Sequence, residues 1–321
     1  MTFRELQDIT LRELGYNPQA VGEEPRARVK DRLNSWHRRL LTEPGLSRYL
    51  RDAYTLTLAT VANQSRYGLP YAVERIVAIR DVTNQITLDC IALDEIRRGD
   101  PGLSSSGNPM AYALLGQFPV QSQPSDASTL YVKSSSAYDY TQTATLEYLN
   151  SSGIQTSATV TLTNTTAVAI GSTVLEVLRF SVSSAPYGNI TLYEDSDAGT
   201  QLALIPAGET AVTHWHIVLY PVPTDAITLT LDVTRRLTNL SLDGDEPMLP
   251  RDFHDLLSYA AQCDEWRRKG ELDRAAIVRT EFEARKKDLV AWTWNLPGYF
   301  PGGQSQNGSP SRLGPWFPSG S

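Results

Sequence analysis

The chain has 321 residues, 41% of them apolar and 20% charged, and a net charge of −7. That balance describes a globular protein of two or three domains; it argues against bulk nucleic-acid binding and leaves room for a local basic face. No segment approaches the ~18 apolar residues of a membrane span, and the opening MTFRELQDITLREL reads as an amphipathic helix and not a secretory leader, so a cytoplasm-like setting is expected.

Thr2 and Glu5 have capping-box spacing, and Phe3, Leu6, Ile9 and Leu14 recur on one helical face until Gly15 ends it. A second helix is expected from Pro25, burying Val29, Leu33, Trp36 and Leu40 and exposing Arg26, Lys30, Arg32, Arg38 and Arg39. A short third helical turn follows over PGLSRYLRD. From Tyr54 the period changes to two: YTLTLATV, YAVERIVAIRD and ITLDCIAL read as strands, a short helix runs from Asp94 to Arg98, and MAYALLG is a further strand.

Between about Ser122 and Thr213 the composition shifts. Residues 128–213 hold twenty-seven Ser or Thr and no Trp, Cys, His or Met, and with two basic and seven acidic residues they carry most of the net charge. TATLEYL, TSATVTLT, STVLEVLRFSVS, NITLYED and QLALIPA alternate between turns, as expected of a small inserted sandwich. HWHIVLYPVP and AITLTLDVTRRL are then expected to form a strand pair joined by a Pro-Thr-Asp turn. A Pro-initiated helix follows, with Phe253, Leu256, Leu257, Ala260, Ala261 and Cys263 inward, and a last helix reaches Trp294 to make a helical hairpin.

Common catalytic signatures are missing: the chain has no phosphate loop, HExxH, GxSxG or CxxC, and no catalytic residue or cofactor is expected. His214 and His216 share a strand face, a geometry metals use, but His37 and His254 lie on helices that read as structural, so surface or interface histidines are the expectation and a metal site is not. Cys90 and Cys263 read as buried, inert thiols. The acidic cluster Asp243 to Pro247 misses the calcium-loop spacing and reads as a solvated turn. The Gly/Ser loop over 99–109 leads into a strand and reads as a mobile surface loop, not an anion cradle. Arg26, Arg28, Lys30, Arg32, Arg38 and Arg39 crowd the second helix, and with Trp36 expected on the buried face no aromatic interleaving suggests base stacking. They read as a solvated face or as a charged protein interface.

Tyr67 to Pro70 (YGLP), Gly107 to Tyr112 (GNPMAY), Pro221 to Pro223 (PVP) and Leu249 to His254 (LPRDFH) occur in an order that resembles the head-to-tail adaptor, or connector, family of tailed bacteriophages, of the tail tubular protein A type. The resemblance spans roughly residues 1–120 and 214–294. It implies a non-enzymatic, homo-oligomeric ring, typically dodecameric, assembled in the host cytoplasm and placed in the neck or tail of the virion. There it binds the portal protein and the tail nozzle or tube protein, and DNA passes through without sequence-specific binding.

The fold class expected is therefore α+β. N-terminal helices and a C-terminal helical hairpin carry a small β-sheet over 1–121 and 214–294, an immunoglobulin-like sandwich is inserted at 122–213, and an extended tail occupies 295–321. In that tail eleven of twenty-seven residues are Gly or Pro, and the sole charge is Arg312. Tyr299, Phe300, Trp316 and Phe317 are apolar groups without an obvious core there, and the resemblance makes them and Arg312 anchors for the portal or a neighbouring subunit. A second reading is a virion-associated module whose sandwich recognises a glycan or host surface through Tyr131, Tyr138, Tyr140, Tyr148, Phe180, Tyr187 and Tyr193.

Overall fold

The computed structural model describes residues 1–43, 45–46, 50–51 and 54–294. The third helical turn falls largely outside these residues, and the tail from Asn295 falls wholly outside them. Helix α1 (Phe3–Glu13) carries the expected capping box between Thr2 and Glu5. Its amino end is also held by the Asp243 to Pro247 turn: the Asp245 and Asp243 carbonyls accept the Phe3 and Arg4 N–H groups at 2.7 and 3.0 Å. This acidic turn thus supplies partners to free helix-end donors. Helix α2 (Glu23–Thr42) begins two residues before Pro25 and buries His37 and Leu41 beside Val29, Leu33 and Leu40, while Trp36 is half-buried.

Strands β1 (Tyr54–Ala59), β2 (Arg66–Gly68), β3 (Val73–Asp81) and β4 (Ile86–Cys90) precede a short helix, α3 (Leu93–Gly99), then β5 (Ser106–Gly107) and β6 (Ala111–Phe118). Six strands follow: β7 (Ser128–Ser134), β8 (Thr143–Asn150), β9 (Gln155–Thr161), β10 (Val168–Val182), β11 (Ile190–Glu194) and β12 (Gln201–Ile205). The chain returns through β13 (His214–Tyr220), β14 (Val222–Pro223) and β15 (Thr228–Arg235), and ends in helices α4 (Asp255–Arg268) and α5 (Leu272–Trp294).

The expected helical domain with a small sheet is not what forms. Thirteen of the fifteen strands lie in two curled sheets, against five helices among the described residues. The larger sheet has seven strands in the order β1-β15-β3-β4-β6-β13-β2. It is assembled from distant segments: Tyr54 stands opposite Val233, and Ala111 opposite Tyr220. Local periodicity shows each strand but not these pairings, so the sheet reads as small from sequence. Ile79, Leu88, Tyr112, Ile217, Leu219, Leu229, Leu231 and Val233 form its buried core. The four longer helices pack on one another around a separate core of Phe3, Leu33, Leu40, Leu256, Leu257, Phe282 and Leu289.

The second sheet is continuous, in the order β12-β11-β7-β10-β8-β9. It is consistent with a β-sandwich, but it is one curled sheet and not the two separate sheets of an immunoglobulin-like domain. Strand β10 makes the difference. Its first half, Val168 to Val174, pairs with β7, and its second half, Val174 to Val182, pairs with β8. Register shifts and a positive φ of 56° at Thr173 bend the strand between the two halves. The bend wraps the sheet around Leu130, Leu146, Ile170, Val177, Phe180 and Leu192.

Candidate assembly surfaces

The basic stretch of α2 is more internal than its sequence suggests. Arg26 is half-buried and donates from Nη1 to Gln7 Oε1 at 3.3 Å and Asp8 Oδ1 at 3.0 Å. Arg28 pairs with Glu24 and stands 3.7 Å from the Glu265 carboxylate; Arg32 approaches the same carboxylate to 3.9 Å, and Arg268 donates to it at 3.0 Å. Glu265 is only 2% exposed, so these three guanidinium groups compensate a charge withdrawn from water. Lys30 Nζ lies 5.9 Å from the Phe3 ring centroid. The two open cations are Arg38, which donates to Asn239, and Arg39, whose guanidinium lies 5.0 Å from the Trp36 ring. With Asp31, Asn34, Ser35 and Asn239 they line a depression of about 490 Å³.

His214 and His216 are not surface groups. They are 1% and 2% exposed, buried where the chain passes from the seven-stranded sheet into the six-stranded one. His216 Nδ1 accepts from Arg66 Nε at 3.0 Å, which leaves Nε2–H to donate to the Val120 carbonyl at 2.8 Å. His214 donates from Nδ1 to the Leu69 carbonyl at 3.0 Å, and its buried Nε2 finds no hydrogen-bond partner. Burial pushes the His214 pKa down to about 4, against a smaller opposing contribution from the Leu69 carbonyl. No three metal-ligating side chains converge among the described residues. Cys263 is buried, but Cys90 is exposed, because it falls on the outer side of the last residue of β4. The Gly/Ser loop is organised by Asp100, whose carboxylate accepts from the Ser104 and Ser105 N–H groups at 2.9 and 2.7 Å; these bonds hold its pKa well below the usual carboxylate range.

Two open surfaces stand out. Strand β9 is an edge strand of sequence QTSATVT, with alternating exposure along its whole length, and it carries no charge, proline or bulge to blunt its free edge. The opposite edge, β12, is partly covered, since the Leu202 carbonyl accepts from the Gln121 and Ser122 N–H groups at 2.7 and 3.1 Å. The signal for the open edge was present in sequence as the missing gatekeepers of TSATVTLT. Helix α5 buries a narrow stripe of Ala275, Phe282, Leu289 and Thr293 against the molecule. The seven-residue spacing of Ala275, Phe282 and Leu289, with Thr293 four residues further on, is that of a coiled-coil seam. Leu272 and Ile277, at 68% and 62% exposed, lie off that seam, and near the carboxyl end Val290 and Ala291 line an apolar depression of about 340 Å³ with the stems of Glu283, Lys286 and Lys287. Tyr299, Phe300, Arg312, Trp316 and Phe317 lie outside the described residues.

An open sheet edge and a long helix packed along one side are features of an assembly component. The comparison with known families gives the same class: the family model described as SU10 adaptor protein matches residues 134–300, more than half of the chain. The chain belongs to that family and is a phage adaptor protein, a structural component of the virion. The match runs through the six-stranded sheet that the motif order treats as an insertion, and it does not reach the first 133 residues. No curated protein matches the chain. Among the described residues no helix is long and apolar enough to cross a membrane.

Proposed function

We propose that this adaptor is the head-to-tail connector of its particle: a ring, dodecameric in the family it resembles, that joins the portal protein to the tail nozzle or tube and extends the DNA channel without sequence-specific contact. It assembles in the host cytoplasm. In this reading residues 1–121 and 214–294 form the adaptor body, residues 122–213 form a lateral unit, and residues 295–321 are the tail that reaches a partner.

The observation that carries the proposal is the one-sided burial of α5. The helix covers itself on one stripe only and leads directly into a segment rich in Gly, Pro and spaced aromatics. A Pro-rich segment in extended form advances ~3 Å per residue, so a chain of this length, if extended, would reach on the order of 70 to 80 Å, enough to span a subunit. Each of Tyr299, Phe300, Trp316 and Phe317 contributes ~2 kcal/mol when buried, and copies acting together in a ring make release slow. Arg38 and Arg39, the open end of the α2 basic stretch, supply a charged contact to the neighbour.

The test is the mass of the purified protein alone and after mixing with portal, compared with a chain ending at Trp294. The full chain is expected to join portal and the shortened one to stay free. Equal binding by both removes the tail from the interface.

A further inference from the structure

The six-stranded sheet ends, at the β7–β8 and β10–β11 connections, in tyrosines that no packing role explains. Tyr138, Tyr140 and Tyr187 are 72%, 60% and 59% exposed. The rings of Tyr138 and Tyr187 meet edge to face, with centroids 6.1 Å apart and planes at 61°.

Beneath them lies Asp139, fully buried. Its Oδ2 accepts from Ser134 Oγ at 2.6 Å and from the Gly188 N–H at 2.9 Å, and its Oδ1 accepts from the Tyr187 N–H at 2.8 Å. One carboxylate therefore ties both loops together. Ser135 N–H donates to the Asn189 carbonyl at 2.9 Å, and Asn189 N–H returns a bond to Ser135 Oγ at 2.8 Å. Gly188 passes so close to Ser136 that a Cβ there would stand 2.6 Å from the Ser136 nitrogen. The loops are locked before any partner arrives, so binding orders little more than the phenol rings.

The surroundings select the partner. Across residues 134–141 and 183–189 the sole charged side chain is Asp139, and it is committed internally. What faces solvent is three phenols, the exposed Ser135, Ser183, Ser184, Thr141 and Asn189, and the methyl groups of Ala137 and Ala185. There is no arginine or large aliphatic anchor of the kind that dominates protein interfaces. Flat π faces for the C–H side of a pyranose ring, surrounded by neutral hydroxyl and amide groups, match a carbohydrate. The excess of acidic residues over 128–213 disfavours an anionic one.

We infer that the tip bearing Tyr138, Tyr140 and Tyr187 is a binding site for uncharged polysaccharide, with sugar rings stacked on the phenols. It shares no residue with the surfaces assigned to portal or neighbour binding and stands independently of them.

Native electrophoresis of the full chain through gels cast with dextran, mannan, xylan or galactomannan, and with anionic alginate as the contrast, tests it. Retardation is expected in at least one neutral gel and not in alginate. Tyr138→Ala with Tyr187→Ala is expected to weaken retention about tenfold, and the corresponding Phe pair to keep most of it; both positions are exposed, and a urea melt confirms the fold. No retardation in any neutral gel, retardation in alginate alone, or retention unchanged in the Ala pair overturns the assignment. Loss of self-association or portal binding in the Ala pair, without retardation of the parent chain, identifies a protein contact and overturns it equally.

Discussion

Phe118 and His214 face each other across the antiparallel pair β6–β13, although the whole six-stranded sheet lies between them in the chain. The chain leaves and re-enters the seven-stranded sheet at one point. Replacing residues 122–213 by Asn-Gly closes that point as an ordinary hairpin. The shortened protein is expected to unfold in a single cooperative transition and to retain its helical circular dichroism. A non-cooperative melt means that the two sheets depend on each other.

The same junction makes Gly68 irreplaceable. A Cβ at this position would stand 1.7 Å from the Gln121 carbonyl oxygen and 2.8 Å from His216 Nε2. The first obstacle is backbone, so it cannot rotate away. Gly68→Ala is expected to cost about 3 kcal/mol or more, read as a lowered urea midpoint. Gly244→Ala, where a Cβ meets nothing within 4 Å, is the control and is expected to change stability little.

Glu265 and its arginines make an asymmetric prediction. Removing the buried carboxylate leaves Arg28, Arg32 and Arg268 facing one another. Their side chains are 25%, 43% and 42% exposed, so water recovers part of the loss. Glu265→Ala is expected to destabilise by about 2 to 3 kcal/mol, and Arg32→Ala or Arg268→Ala by under about 1 kcal/mol, because two guanidinium groups remain. Equal costs at all three positions contradict a shared charge.

Stability is expected to fall on mild acidification. His37 accepts the Met248 N–H at Nε2, and burial, followed by the charges of His254 and Arg38, lowers its pKa from 6.5 to about 4; burial lowers that of His214 to about 4 as well. Each pKa is depressed on folding, so above pH 6.5 both states are neutral and nothing is lost. As pH falls from 6.5 towards 4 the unfolded chain takes up protons that the folded chain refuses. The expected loss is about 3 kcal/mol per histidine. Urea midpoints measured from pH 7.5 to 4.5 check it: His37→Gln and His214→Gln should each flatten the profile, and parallel profiles refute the assignment.

Helix ends and strand positions were legible in the residues themselves. The Thr2–Glu5 box, the inward face of α4 from Leu256 to Cys263 and the alternation in TATLEYL all describe local geometry, and local geometry follows from periods of 3.6 and 2. His214 and His216 were misplaced on the surface because alternation shows which residues share a face and does not show what covers it. Here Leu69, Val120 and Arg66 cover it, and all three are remote in the chain. Cys90 erred the other way, as an apolar neighbourhood in sequence that ends on an open strand.

From the sequence alone came the existence of the strands, the compositional break near residue 122 and the order of motifs that points to an adaptor. Tertiary structure decided that β1, β15, β3, β4, β6, β13 and β2 join as one sheet, that β10 bends to carry the other sheet around its core, and that Asp139 draws Tyr138 and Tyr187 together. The physical reason is range: side-chain periodicity acts over a few residues, whereas strand pairing and the burial of a charge depend on groups that folding alone makes neighbours.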